Sequence, residues 1–360
     1  MRLLALVLAL SAGVTVGGCK SDVGTASDAG GGADSRSQGD GSDGSDDPDI
    51  LIADYALTWG PVAVRPSQES TQCVWLRLSN EQEIKVHQMH NVLSSSSHHL
   101  IVYKDDMDTT EQRTPVPCQP FSGALNTTGK IFPMMITQKH DEKLTLPNAV
   151  AYTLAPHQMI KIEMHYLNPS DVVEQVTATV TFSAAEPTAI RDEANILFIG
   201  TPDIRLEANK MTEIHRFFNP GSAGLDLADA KFFAITGHTH QLGLSVNVGI
   251  AETPTSAVTP VYAPAQFLWN EPETTVHRPE FQVDIAGGFD FTCRYFNNSG
   301  KTVTFGESAN DEMCFFWAYY YPSNGAHVCV NATLGVRNIN LCCPDAGPAL
   351  CALLEDGLGG

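Results

Sequence analysis

The chain has 360 residues, with 41 Asp and Glu against 21 Lys and Arg and a formal net charge of −20. That length allows two domains with cores of ordinary size. The acidic balance excludes electrostatic capture of nucleic acid, which needs basic patches to displace counterions; it favours solubility and identifies no partner.

The first 19 residues, "MRLLALVLALSAGVTVGGC", carry one Arg, an apolar run and then small residues up to Cys19. This is the pattern of a secretory signal, too short to span as a mature membrane helix. Gly17-Gly18-Cys19 resembles a bacterial lipoprotein cleavage box, with Val16 where Leu is usual. The resemblance implies a lipid on Cys19. The expected location is therefore exported, either lipid-anchored at the bacterial cell envelope or secreted, with membrane contact only through that anchor. Residues 20–48 are mostly Gly, Ser and Asp. They cannot bury enough apolar surface to offset the entropy of ordering, so they read as a disordered tether.

Beyond the tether the signals are nearly all β. "QCVWLRL", "KIEMHYL", "QVTATVTF", "GLSVNVGI" and "KTVTFG" are short and rich in β-branched and aromatic residues, with turn formers close to most of their ends. No long stretch keeps a clean 3.6-residue apolar period. The expected fold is all-β, with two tandem antiparallel β-sandwich, jelly-roll-like domains. A composition break over 183–195 divides them into residues 49–187 and 188–360, the second with a Cys-rich tail. Alternation in "MIKIEMHYL" puts Ile160, Ile162 and Met164 on one face and Lys161, Glu163 and His165 on a polar face that a ligand could reach.

Eight cysteines follow Cys19: Cys73, Cys118, Cys293, Cys314, Cys329, Cys342, Cys343 and Cys351. An even number in an exported chain points to disulfides. None has the CxxC spacing of a structural zinc site.

Three close histidine pairs occur among twelve histidines. His87 and His90, three apart, face opposite sides of a strand and cannot share a metal. His98 and His99 open "HHLIVYK" and can share one only at a strand start or twisted edge. His238 and His240 share a strand face with Thr236, a geometry that closes on a single ion.

Taken together, "SSSSHHLIVY", "IEMHYLNP", "ITGHTHQLG" and "GESANDEMCFFWAYYYP" occur in an order that resembles the type II copper, ascorbate-dependent monooxygenases. That family contains dopamine β-monooxygenase and peptidylglycine α-hydroxylating monooxygenase. The resemblance runs from about Thr71 to about Val330. It implies two coppers per chain, one on His98, His99 and His165 and one on His238, His240 and Met313, the second being catalytic. Imidazole suits copper, and a thioether favours Cu(I). The implied reaction hydroxylates a C–H bond of a small-molecule substrate with O2 and ascorbate or a similar one-electron donor. The alternative is an exported copper-binding lipoprotein without oxygenase turnover. His87, His90, His140, His157, His215, His277 and His327 match no ligand position.

The resemblance also implies Cys293–Cys314, bracketing a Met-bearing strand, and Cys73–Cys118. The family's usual partner for Cys329 is missing, so Cys329 pairs within the tail in one of three connectivities, with Cys342 and Cys343 going to different partners. Peptide-amidating members carry Arg at the position of Thr236, and Asn and Tyr at those of Phe315 and Trp317. An aromatic wall in place of an anion clamp predicts poor binding of a peptide C-terminus. "YYP" at 320–322 looks more like the dopamine-type branch.

Overall fold

The computed structural model describes residues 50–119, 130–306, 308 and 310–352. The signal, the tether and the Cys19 anchor fall outside them. Ten strands build the first body: β1 (Leu51–Val64), β2 (Glu69–Arg77), β3 (Ile84–Leu93), β4 (Ser97–Asp105), β5 (Gln112–Pro117), β6 (Ile131–Thr137), β7 (Asp141–Thr145), β8 (Val150–Leu154), β9 (Met159–Leu167) and β10 (Glu174–Ala185). The short β11 (Asp192–Glu193) pairs in parallel with β8. One sheet runs β1-β10-β3-β8-β11 with β7 beside β3; the other runs β5-β2-β9-β4-β6. Trp59, Val180 and Phe182 of the first sheet share one buried apolar cluster with Val74, Val102 and Ile162 of the second.

The second body begins at β12 (Asn195–Gly200) and continues through β13 (Arg205–Leu206), β14 (Lys210–Phe218), β15 (Lys231–His238), β16 (Gly243–Ala251) and β17 (Thr259–Tyr262). It ends with β18 (Thr275–Phe281), β19 (Gly288–Asn297), β20 (Val303–Thr304), β21 (Phe315–Tyr321), β22 (His327–Leu334) and β23 (Arg337–Cys343). Its sheets run β18-β15-β21-β12-β22-β23 and β14-β19-β16-β17, with β13 and β20 paired separately. The fold is thus all-β, with two sandwich bodies, as composition and turn spacing predict.

The sequence "FFWAYYY" of β21 is apolar or aromatic throughout, and every residue of it is buried. A continuous apolar run of this kind is what a strand covered on both faces requires. Phe316, Ala318 and Tyr320 pack into the second sandwich's own core. Phe315, Trp317, Tyr319 and Tyr321 join the cluster that fills the first. The six-stranded sheet of the second body is therefore the wall between the two cores. The Tyr319 hydroxyl accepts the Ile136 N–H from β6 at 3.1 Å, pinning the two bodies at that wall.

Alternation in β9 holds, but the polar face is not open. Lys161, Glu163 and His165 are all buried. Their row is satisfied internally: Tyr103 Oη donates to Glu163 Oε2 at 3.0 Å, and Lys161 Nζ lies 3.6 Å from the same carboxylate. Burying charge is tolerable only with such pairing. The polar residue pattern therefore marks a second packed face here, with Lys161, Glu163 and His165 all buried.

Four disulfides close: Cys73–Cys118, Cys293–Cys314, Cys329–Cys342 and Cys343–Cys351. The first two are the pairs the resemblance implies. The last two choose among the tail connectivities and send the vicinal cysteines to different partners. Four bridges fit folding in an oxidising compartment.

Candidate metal centre

The strand β4 opens with Ser97-His98-His99. Neighbours in a regular strand face opposite sides. Here Ser97 sits opposite Tyr166 of β9 while His99 sits opposite His165, so β4 carries one extra residue at His98. Such a bulge re-aims a side chain, and it brings both rings to one side. The His98 and His99 Nδ1 atoms are 3.1 Å apart. Their ring centroids lie 5.0 and 4.9 Å from the His165 ring. All three residues offer ligating atoms within 4.8 Å of one another. Two nitrogens each about 2 Å from one ion, at an angle of about 100°, would be separated by this 3.1 Å.

Glu69, on the neighbouring strand and diagonal to His165 in the β2–β9 register, places Oε1 2.9 Å from His165 Nε2. A carboxylate on the outer ring nitrogen leaves the inner one for a metal and fixes the ring's orientation.

His238 ends β15, and His240 lies in the turn that follows. The two rings remain together, with centroids 5.2 Å apart. Both have their Nδ1 atoms occupied. His238 Nδ1 donates to Gln138 Oε1 at 3.0 Å, and His240 Nδ1 donates to the Asp311 carbonyl at 3.1 Å. In the neutral His238 ring the bare nitrogen is then Nε2, while the His240 ring also meets the Ser308 backbone. The His238 Nε2 atom is buried with no hydrogen-bond partner. A buried acceptor normally finds a donor, and a metal ion is what a bare imidazole nitrogen in this setting suits.

The turn after His240 depends on Gly243. A Cβ there would come within 1.9 Å of Thr239 Oγ1, so the sequence "HTHQLG" needs glycine at its end.

Met313 precedes β21 instead of lying in a strand, which corrects the expectation of a Met-bearing strand. It is 4% exposed. Its carbonyl accepts the Tyr295 hydroxyl at 2.6 Å, and the next residue, Cys314, is bridged to β19. Glu312 ties this segment to the histidine turn. Its carboxylate accepts the His240 N–H at 2.9 Å and the Leu242 N–H at 2.6 Å, and also the Met313 N–H. Burial pushes the Glu312 carboxyl up to about 7, against the pull of those three donors.

Burial drives the histidines the other way. It lowers His98 to about 3, with the neighbouring His165 and His240 adding to the effect. Burial also lowers His240 to about 4, opposed by the Asp311 carbonyl. His99 and His238 fall well below the usual imidazole range, again chiefly through burial, then through the neighbouring histidines of their own group, and after those through the other group. At neutral pH these four rings are uncharged, which is the state a metal requires. The residues present fit copper: imidazoles with bare nitrogens, and a thioether on the segment clamped to the same turn.

Each group of histidines touches the other sandwich. Trp269, between β17 and β18, lies over His98 with centroids 5.4 Å apart. Gln138 of the first sandwich meets His238, and Trp317 of the expected aromatic wall lies 6.0 Å from His238 within its own body. Thr236 is buried and binds Thr274 Oγ1 at 2.9 Å.

Six of the seven remaining histidines have ordinary partners for their side chains, and the His157 carbonyl accepts from Arg77. His87 binds the Val150 carbonyl, His90 binds Asp141, His140 faces Glu271, His215 binds Asp290, His277 binds the Val261 carbonyl and His327 binds the Asn324 carbonyl. Glu69, Gln138, Trp269 and Glu312 escaped the sequence reading. Only Glu312 carried a signal, as the acid directly before Met313.

The fold and the histidines define an all-β, two-sandwich protein with a candidate metal centre where the sandwiches meet. Residues 193–336 match the family model described as the copper type II ascorbate-dependent monooxygenase, C-terminal domain. The matched stretch spans β12 to β22 and contains His238, His240 and Met313. No curated protein matches the chain. Among solved structures, "Crystal Structure of the STIV MCP" is 8% identical, covering 75% of this chain and 97% of that one, with a TM-score of 0.33. "Crystal structure of infectious bursal disease virus VP2 subviral particle" is also 8% identical, covering 82% and 76%, with a TM-score of 0.19. At such scores neither likeness bears on fold or function.

Proposed function

We propose that this chain is a copper-dependent monooxygenase that hydroxylates a C–H bond of a small apolar or aromatic molecule, using O2 and ascorbate or a similar one-electron donor. The observation that carries the reading is the gathering of His98, His99, His165, His238 and His240 at the seam between the sandwiches, in a chain whose residues 193–336 match the family's C-terminal domain.

In this reading His98, His99 and His165 hold one copper, and His238, His240 and Met313 hold the other. Bound copper would supply one-electron transfer and the activation of O2. The chain's own residues do the rest. Glu69 orients His165, and the Asp311 carbonyl and Gln138 orient His240 and His238. Glu312 holds the Met313 segment against the histidine turn. Trp317 and the buried, uncharged Thr236 offer an apolar wall with no cation to clamp a carboxylate, which favours a neutral or aromatic substrate over a peptide C-terminus. The body is exported and held at the membrane through a lipid on Cys19.

The test loads the protein with Cu(II), adds ascorbate and follows O2 consumption across a substrate panel. Two coppers per chain and substrate-dependent turnover are expected. Two coppers with no turnover would instead favour a copper-binding lipoprotein, and fewer than two would overturn the ligand assignment. Mass spectrometry of the membrane fraction checks the lipid, which Cys19→Ala should abolish.

A further inference from the structure

We infer that Gln138, a residue of the first sandwich, is a positioning residue for His238 of the second: its amide oxygen selects the imidazole tautomer that leaves Nε2 bare. The inference rests on the proposed copper sites only for what the bare nitrogen is used for.

Gln138 follows β6 directly, is 5% exposed, and lies 100 residues from His238 in the chain. A neutral imidazole has one N–H. With the amide oxygen toward the ring, Nδ1–H donates across the 3.0 Å contact and Nε2 keeps its lone pair. With the amide turned over, its NH2 would donate to Nδ1 and the ring proton would sit on Nε2, blocking it. In both orientations one amide group and one ring nitrogen are left without a protein partner, because Gln138 Nε2 and His238 Nε2 are both buried and unbonded. Only the first orientation leaves a nitrogen that a metal can satisfy.

A second set of bonds holds Gln138 at this distance. Its backbone N–H is bound by Glu142. Glu142 Oε1 accepts Thr274 Oγ1 at 2.6 Å, and Thr274 binds Thr236 Oγ1. Thr236 lies two residues before His238 on β15. The side chain and the backbone of Gln138 are thus tied to the same strand of the other sandwich, forming a closed ring of hydrogen bonds across the seam. The second sandwich's metal site is therefore completed by the first.

The experiment has two arms on the full chain. Long-range 15N–1H correlation spectra of the metal-free protein read the His238 tautomer directly, with His238→Asn identifying the resonance. The wild type should show Nδ1–H with a bare Nε2. Gln138→Leu should shift the ring toward Nε2–H, while Gln138→Glu should keep Nδ1–H. An Nε2–H tautomer in the wild type, or an unchanged one in Gln138→Leu, would overturn the inference. The second arm measures Cu(I) affinity by competition with a chromophoric chelator. Gln138→Leu should weaken one site about 10–100-fold and leave the other unchanged, and Gln138→Glu should restore it. Equal weakening of both sites, or of neither, would also overturn the inference. A wild type with the Nδ1–H tautomer but no copper at this site would overturn the copper reading and leave the tautomer selection standing. Thermal melts of each variant separate these effects from misfolding.

Discussion

The Glu312 carboxylate accepts N–H groups from His240, Leu242 and Met313, so two separated stretches of chain depend on one buried acid. Removing it strands those donors, at about 1–3 kcal/mol for each one left unsatisfied. Glu312→Ala should therefore lower stability by about 3 kcal/mol or more in chemical denaturation. It should also reduce copper binding from two equivalents to one, the surviving site being the three-histidine one. Loss of both sites together would show that Glu312 supports the whole body instead of one turn. Met313→Ile is the complementary change. It keeps apolar volume, so it should cost less than about 1.5 kcal/mol, yet it removes the thioether that favours Cu(I). Cu(I) titration should then find one site weakened with the fold intact; two unaltered sites would remove Met313 from the ligand set.

Two elements shape the centre more than any propensity does. The bulge that opens β4 turns His98 and His99 to one side, and the bridge from β19 fixes the segment before β21. Breaking Cys293–Cys314, which closes a loop of 21 residues, should cost about 3 kcal/mol. It should weaken the Met313 site more than the trio, as read from the two copper affinities; equal losses would count against a local role for the bridge. The β17–β18 connection gives a spectroscopic handle. The chain has four tryptophans. Trp269 lies over His98, and Trp317 lies beside His238. Cu(II) loading should quench both, and Trp269→Phe should remove the part of the quench that His165→Ala also removes. Identical quenching curves in wild type and Trp269→Phe would place that indole away from a bound metal.

For the molecule as a whole, the consequence of the buried seam is its response to acid. His98 and His240 titrate near 3 and 4 in the native state against 6.5 ordinarily, and His99 and His238 are also lowered. Between pH 6.5 and about 4 the unfolded chain binds protons that the folded one refuses, so stability present above pH 6.5 is lost as pH falls. Each such ring adds about 1.4 kcal/mol per pH unit inside its window. Glu312 acts oppositely: its raised carboxyl favours the folded state below about 4.5, and that gain fades as pH rises toward 7. Burial also raises the Glu142 and Asp108 carboxyls, which act with Glu312; the four buried rings outnumber these three acids. The Tm of the metal-free protein should fall steadily from pH 6.5 to 4, and His98→Asn with His240→Asn should flatten the slope. A Tm level across that window would mean that the rings are hydrated in solution.

The β class, the turn spacing and the candidate ligands are legible in residue order, because alternation, β-branched runs and short motifs are local. "FFWAYYY" even carries its two-sided burial openly. Local order also sets the cysteine-rich character of the chain, whose four bridges fit an oxidising compartment. It does not set what lies opposite a strand. The row of Lys161, Glu163 and His165 reads as a polar face open to a ligand until Tyr103 is placed against it. The adjacency of His98 and His99 reads as a geometric obstacle until the register with β9 inserts a bulge. Gln138, Trp269 and Glu69 have no signal at all, since each acts on a histidine 96 or more residues away in the chain, Glu69 through strand pairing and the other two through contacts between the sandwiches. Sequence by itself determined which donors this protein carries. The tertiary structure alone decided how their nitrogens are partnered, because that depends on groups distant in the chain: Gln138 of the other sandwich for His238, and Glu69 and Asp311 of the same sandwich for His165 and His240.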